Sequence, residues 1–167
     1  MIWTGVIKKG EPEVSFNGSI EEVTRQIRSI DENFAWHHFN RDHQSEGTLN
    51  KRDAVGIVCD VQGEANHGPL TPNMEAARGT VADMTGECTV PTGPGVCSLL
   101  TCHNHAGVWL CNDNSQPVSR QCSSLALYVD NIIRKCGTGY IHGHRRTRGQ
   151  EFDSGNWNVI AAWKEDC

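Results

Sequence analysis

Apolar side chains first organise at residues 20 to 34, where Ile20, Val23, Ile27, Ile30 and Phe34 recur at steps of three and four, the spacing of one helical face. Ser19 precedes the run and Glu22 follows it by three residues, which makes a capping box. A helix from about 20 to 34 is predicted. Ahead of it, Ile2 to Lys8 and Val14 to Phe16 have short strand-like character, broken by Gly10 and Pro12. Residues 40 to 53 are almost wholly polar and read as a linker that ends in the dibasic pair Lys51-Arg52, a candidate processing site.

The remaining chain alternates strand and helix signals. Ala54 to Val61 is short and β-branched, the mark of a buried strand. Thr71 is expected to cap a helix that has Pro72 at its first position and Met74, Ala77, Val81 and Met84 on one face, with Gly86 as the stop. Val96 to Cys102 and Gly107 to Cys111 read as a hairpin turning at His103-Asn104-His105-Ala106. Cys122, Leu125, Val129, Ile132, Ile133 and Cys136 fall on one helical face before Gly137. Tyr140 to His144 reads as a short strand and Asn156 to Trp163 as the last one. Trp109 and Trp163, inside apolar strands, are expected in the core. The order is β-α-β-β-α-β, an α+β fold with helices on one face of an antiparallel sheet, ferredoxin-like or of a related sandwich type. Two segments are expected: a cysteine-free one over residues 1–52 and a disulfide-rich one over 53–167.

All eight cysteines, Cys59, Cys88, Cys97, Cys102, Cys111, Cys122, Cys136 and Cys167, lie in that second segment. Their even number and the lack of any C-x-x-C pair favour four disulfides over metal thiolates, and disulfides imply an oxidising, extracellular compartment. Cys122 and Cys136 share a helical face but lie about 21 Å apart at 1.5 Å per residue, beyond the roughly 7 Å a disulfide spans. Each needs another partner, and Cys167 is a plausible one for Cys136. The start Met1-Ile2-Trp3-Thr4 lacks the pattern of a signal peptide, so the chain reads as a mature form with an added initiator Met. Asn17-Gly18-Ser19 is a glycosylation sequon.

Composition narrows function. Fifteen Lys and Arg against 20 Asp and Glu give a net charge of −5, which argues against a nucleic-acid partner, and no apolar run approaches membrane-spanning length. The eight histidines include His37-His38, His103-x-His105 and His142-x-His144. In an extended strand residues i and i+2 share a face, so His103, His105, His142 and His144 are the candidate ligands for zinc or copper. His142, His144, Arg145, Arg146 and Arg148 form the one basic cluster, suited to an anion; a small ribonuclease using His142, His144 and Arg145 is a further alternative. No G-x-S-x-G elbow appears and disulfide-bonded cysteines cannot act as thiolates, so no catalytic residue is assigned.

Gly107-Val-Trp-Leu-Cys-Asn-Asp-Asn114, the Cys122 to Cys136-Gly helix, Gly149-Gln-Glu-Phe-Asp-Ser-Gly-Asn-Trp-Asn-Val-Ile160 and the terminal Cys167 together resemble small secreted cysteine-rich proteins of filamentous fungi. Many of those are candidate effectors, and some share an α/β sandwich with killer toxins of smut fungi. The resemblance, over about residues 97 to 167, implies a secreted effector or toxin-like protein that binds a host or competitor protein or glycan without catalysis; a monomer is expected. It carries over no site residue.

Overall fold

The computed structural model describes residues 1–8, 10–36, 54–59, 68–137, 140–141 and 143–167. Lys51-Arg52, His37-His38 and His142 lie outside the described residues, as do the last two positions of the strand expected over Ala54 to Val61. Two antiparallel sheets carry the fold. The first has the order β2-β1-β4-β7 and joins β1 (Ile2–Gly5) and β2 (Val14–Asn17) to β4 (Glu87–Val90) and β7 (Val118–Gln121). The second has the order β3-β10-β11-β6-β5, from β3 (Ala54–Val58), β10 (Gly149–Asp153), β11 (Trp157–Trp163), β6 (Ala106–Asn112) and β5 (Val96–His103). A two-stranded ribbon, β8 (Tyr140–Ile141) and β9 (His144–Arg145), stands apart from both. The helices whose full range is described are α1 (Ile20–Arg28), α2 (Thr71–Asp83) and α3 (Ala126–Cys136), the last entered through a 3-10 turn at Cys122–Leu125. This is a disulfide-stabilised α+β fold. The series β3-α2-β5-β6-α3-β11 reproduces the predicted β-α-β-β-α-β order, with the other strands added to it.

The cysteine-free N-terminal residues are built into the first sheet. β1 is an interior strand: Trp3 pairs with Phe16 on one side and with Cys88 on the other. Trp3 is 1% exposed, contacts Trp36 edge-on at 5.5 Å, and donates its indole N–H to Thr85 O at 2.6 Å. α1 begins at the predicted capping box, Ser19 N donating to Glu22 Oε2 at 2.7 Å. It stops at Arg28, earlier than the periodicity suggested. Ser29 Oγ donates to Gln26 O, and Asp31 Oδ1 accepts from Asn33 N; short polar side chains that bond the local backbone in this way end helices. Ile30 is accordingly exposed, while a turn returns Phe34 to the core. Glu21, on the outer face of α1, accepts from Thr101 Oγ1 on β5 and ties the helix to the second sheet.

α2 starts at its expected cap, one residue earlier than predicted. Thr71 is its first helical residue, with Leu70 as N-cap, and its hydroxyl bonds the Thr147 hydroxyl at 2.9 Å instead of capping. Met74, Ala77, Val81 and Met84 are fully buried as expected, but the helix ends at Asp83, with Met84 as its C-cap in extended backbone, short of Gly86. Gly86, at φ +81, is needed instead where the chain passes beneath Trp3, since a Cβ there would lie 2.7 Å from the indole nitrogen. Each large side chain buried in this common core contributes roughly 1.5–3 kcal/mol.

The bridges are Cys59–Cys136, Cys88–Cys122, Cys97–Cys111 and Cys102–Cys167. Cys122 and Cys136 are separately anchored, as the helix length requires. The partner of Cys136 is Cys59 at the end of β3, and Cys167 reaches Cys102 instead, because β11 carries the C-terminus to the far end of β5. β3 is not buried: it is the edge of the second sheet, with Val55 and Val58 exposed. A β-branched run has the same look on an edge strand as in a core, and only pairing separates the two. Trp109 is half-buried and Trp163 is 39% exposed, so neither is a core residue; the buried tryptophans are Trp3, Trp36 and Trp157. Among the described residues no helix is long and apolar enough to cross a membrane.

Candidate functional site

The two ends of the second sheet carry different sets of polar side chains. At one, the β5–β6 turn places Asn104 and His105 at φ 44° and 67°, the left-handed pair of a two-residue hairpin turn. His103 therefore ends β5 and His105 sits in the turn, and the two do not share an extended face as an H-x-H strand would. The His105 ring stacks on Trp163 at 4.3 Å and contacts Lys164 O at 3.0 Å. The first turn of α2 joins this loop to the basic stretch: Asn73 Nδ2 donates to Asn104 O, and Leu70 bridges to Arg146. Arg145 Nε donates to Gly137 O at the end of α3, and Arg146 Nη1 donates to Gly68 O. The structure thus gathers His103, His105, His144, Arg145 and Arg146 at one end of the sheet. Among the described residues no group of three His, Cys, Asp or Glu side chains is placed to hold a metal ion.

The opposite end carries a cleft of 490 Å³, a size suited to a small ligand. Its apolar walls are Val55, Phe152 and Trp157, and its polar ones Asp113, Asp153, Ser154 and Asn156. Two loops line it beside β3, and a third braces them. β10 and β11 are joined by Ser154-Gly155-Asn156, with Asn156 at φ 55°, a three-residue hairpin loop that ends in the left-handed region. The second loop follows β6 and the third follows β4. Asn112 pins the last two together: its amide donates to Pro91 O at 2.8 Å and Gln116 O at 2.7 Å, and its Oδ1 accepts from Asn114 N. Asn114 Nδ2 in turn donates to Gly155 O and Asn156 O. On the third wall the β3–β10 register shifts between Phe152 and Asp153, and the bulge leaves Val55 as the extra residue at the cleft rim.

Each carboxylate of the cleft is held by both oxygens. Asp153 Oδ2 accepts from Tyr128 Oη at 2.6 Å and its Oδ1 from Gly155 N at 2.8 Å. Asp113 Oδ1 accepts from Gly95 N at 3.1 Å and its Oδ2 from Asn158 Nδ2 at 2.9 Å. Burial, then the bond to Asp153 and the neighbouring carboxylates, pushes the Tyr128 phenol far above its usual range. The Trp157 ring lies against Tyr128 at 4.9 Å and beneath the Arg120 guanidinium at 4.7 Å.

The polar cleft residues were not singled out by residue type, because Asp, Asn and Ser near turns are ordinary. The available signal was Asp153-Ser-Gly-Asn156 set between two strand-like runs, a hairpin turn that would have revealed β10. No family model, curated protein or solved structure matches this chain significantly.

Proposed function

We propose that the protein is a secreted binding protein of effector or toxin type, which holds a host or competitor molecule in the cleft at the β10–β11 loop and does no chemistry on it. Four disulfides in a fold of this size suit an extracellular setting. The observation that carries the reading is the state of the two carboxylates: with both oxygens of Asp113 and Asp153 already accepting hydrogen bonds, they serve as fixed acceptors for a ligand better than as proton carriers. The loops around them are fixed by side-chain bonds to backbone, a rigid frame that lowers the cost of binding.

The test is retention of labelled full-length protein on extracellular material of candidate host and competitor cells. Val55→Asp, at a position 71% exposed and free to change without unfolding, is expected to abolish retention, as is Asn156→Gly, which suits the left-handed backbone there. Undiminished retention by both variants would remove the cleft from the interaction.

A further inference from the structure

The outward face of the first sheet leaves one short polar side chain unused. Gly18 N donates to Met1 O at 2.9 Å and Met1 N to Gly18 O at 3.2 Å. Ile2 and Asn17, next in register, therefore form a non-hydrogen-bonded pair, the kind whose side chains stand closest. Trp3 and Phe16 point from the same strands toward the core, so Ile2 and Asn17 point away from it. Both are exposed. Thr4, Ser15, Glu87, Thr89 and Ser119 share that face, and Ile2, 40% exposed, is its one apolar side chain among the described residues. β2 is an edge strand, and its outward carbonyl at Asn17 already accepts from Gln26 Nε2 of α1 at 3.0 Å. The Asn17 side-chain amide makes no hydrogen bond among the described residues.

Asn17 opens Asn17-Gly18-Ser19, the chain's only N-x-Ser/Thr sequon, and the fold suits each of its positions. Gly18 lies at φ +140°, where a Cβ would meet Glu22 Oε2 at 2.6 Å, so glycine fits the middle position. Ser19 is the N-cap of α1, its hydroxyl accepting from Glu22 N at 3.4 Å. The cap alone would be served as well by Asp or Asn, whereas a sequon needs Ser or Thr. We infer that Asn17 carries an N-linked glycan once the chain has passed through a eukaryotic secretory pathway, and that the first sugar lies over Ile2. Transfer joins the Asn17 amide nitrogen to the anomeric carbon of an N-acetylglucosamine supplied by a polyprenyl-pyrophosphate oligosaccharide. The anomeric C–O bond breaks, the polyprenyl pyrophosphate leaves with the electron pair, and the amide gives up one proton. The Ser19 hydroxyl is bonded once α1 has formed, so transfer precedes that step. Ile2 stands opposite at the roughly 5 Å of a cross-strand pair, and the C–H face of a sugar covers apolar surface that the sheet leaves in water. The inference rests on the extracellular part of the reading above and is independent of the cleft, whose residues belong to the second sheet and its loops.

The test expresses the full chain behind a secretory signal in a eukaryotic host and reads the intact mass of the secreted protein before and after peptide N-glycosidase. The parent and Ser19→Thr, which keeps both cap and sequon, are expected to lose the mass of one glycan from most chains. Ser19→Asp, which keeps the cap and destroys the sequon, is expected to lose none. The glycosylated parent is further expected to melt about 2–4 °C above Asn17→Gln from the same host, and the two to melt alike when made without glycans in a bacterial periplasm. In an Ile2→Thr background the difference is expected to vanish. A secreted parent that bears no glycan overturns the inference, as does an enzyme-released mass from Ser19→Asp; a melting difference that persists in Ile2→Thr overturns the placement of the sugar over Ile2. The extracellular reading fails separately, if the secreted protein's eight cysteines are alkylated without reductant, and it stands if they are all oxidised while Asn17 is bare.

Discussion

The two ends of the second sheet differ in how they spend their polar side chains. At the β5–β6 turn, the conspicuous residues His105, Arg145 and Arg146 make hydrogen bonds to Lys164, Gly137 and Gly68 carbonyls, and so serve to close turns and helix ends. At the β10–β11 loop, inconspicuous Asx residues build a rigid frame and leave carboxylate lone pairs at a cleft. Residue types that attract notice in a sequence can be occupied by the fold itself, while a binding surface can be assembled from turn residues whose ordinary role is local.

The comparison is tested most severely at Asn112, which is fully buried. Its replacement by Ala leaves the Pro91 and Gln116 carbonyls and the Asn114 N–H without their partner. At about 0.5–1.5 kcal/mol for each of the three part-buried bonds, the loss is expected to reach about 3 kcal/mol. In a domain of this size that lowers the melting temperature by about 6–12 °C, which calorimetry reads directly. A shift no larger than that of a surface substitution would mean that the three loops do not depend on this side chain.

Much of the fold was legible and the cleft was not, for related reasons. α1 announced its start through Ser19 and Glu22, the face of α3 through Leu125, Val129 and Ile132, and the β5–β6 hairpin through its flanking runs. All of these are local signals. β4 and β7 are only four residues long, too short for alternation to stand out. β10 reads as polar because Glu151, 1% exposed, is buried at its centre and accepts from Asn131 on α3, a pairing across 20 residues that periodicity cannot register. Since β10 was not visible, neither was the loop that follows it, nor the meeting of that loop with Asp113. The pairing of Cys102 with Cys167 was hidden likewise, because it depends on β11 lying beside β6 and β6 beside β5.

A smaller effect sharpens the comparison through pH. Tyr128 donates to Asp153 Oδ2 behind the cleft, and its phenol is held neutral well above the usual range. The unfolded chain ionises this group near pH 10 while the folded one does not, so its contribution is fully present below about pH 10 and is lost as pH rises beyond it. The expected slope is about 1.4 kcal/mol per pH unit for one proton. Tyr128→Phe is expected to cost about 1 kcal/mol at neutral pH through the lost bond, and to remove this component of the alkaline decline. Denaturation in urea across that range checks both. Parallel curves for parent and variant above about pH 10 would show that the phenol ionises as freely in the fold as outside it.

The smallest effects are expected at the other end. Arg145→Gln loses the charge-assisted bond to Gly137 O at the C-terminus of α3, but Arg145 is exposed, and water and salt screen what the charge contributes, so about 1 kcal/mol or less is expected. His105→Gly removes the stack on Trp163 yet suits the left-handed backbone at that position, and these opposing terms leave a change of similar size. Neither substitution reaches the cleft: β6 spans seven residues from Ala106 to Asn112, which at about 3.3 Å per residue puts roughly 20 Å between the turn and the nearest cleft loop. Retention on cells is therefore expected to match the parent in the double variant, with unfolding midpoints measured in parallel. If the double variant folds normally and loses retention while Val55→Asp keeps it, the histidine and arginine end is the contact surface, and the assignment of the two ends is reversed.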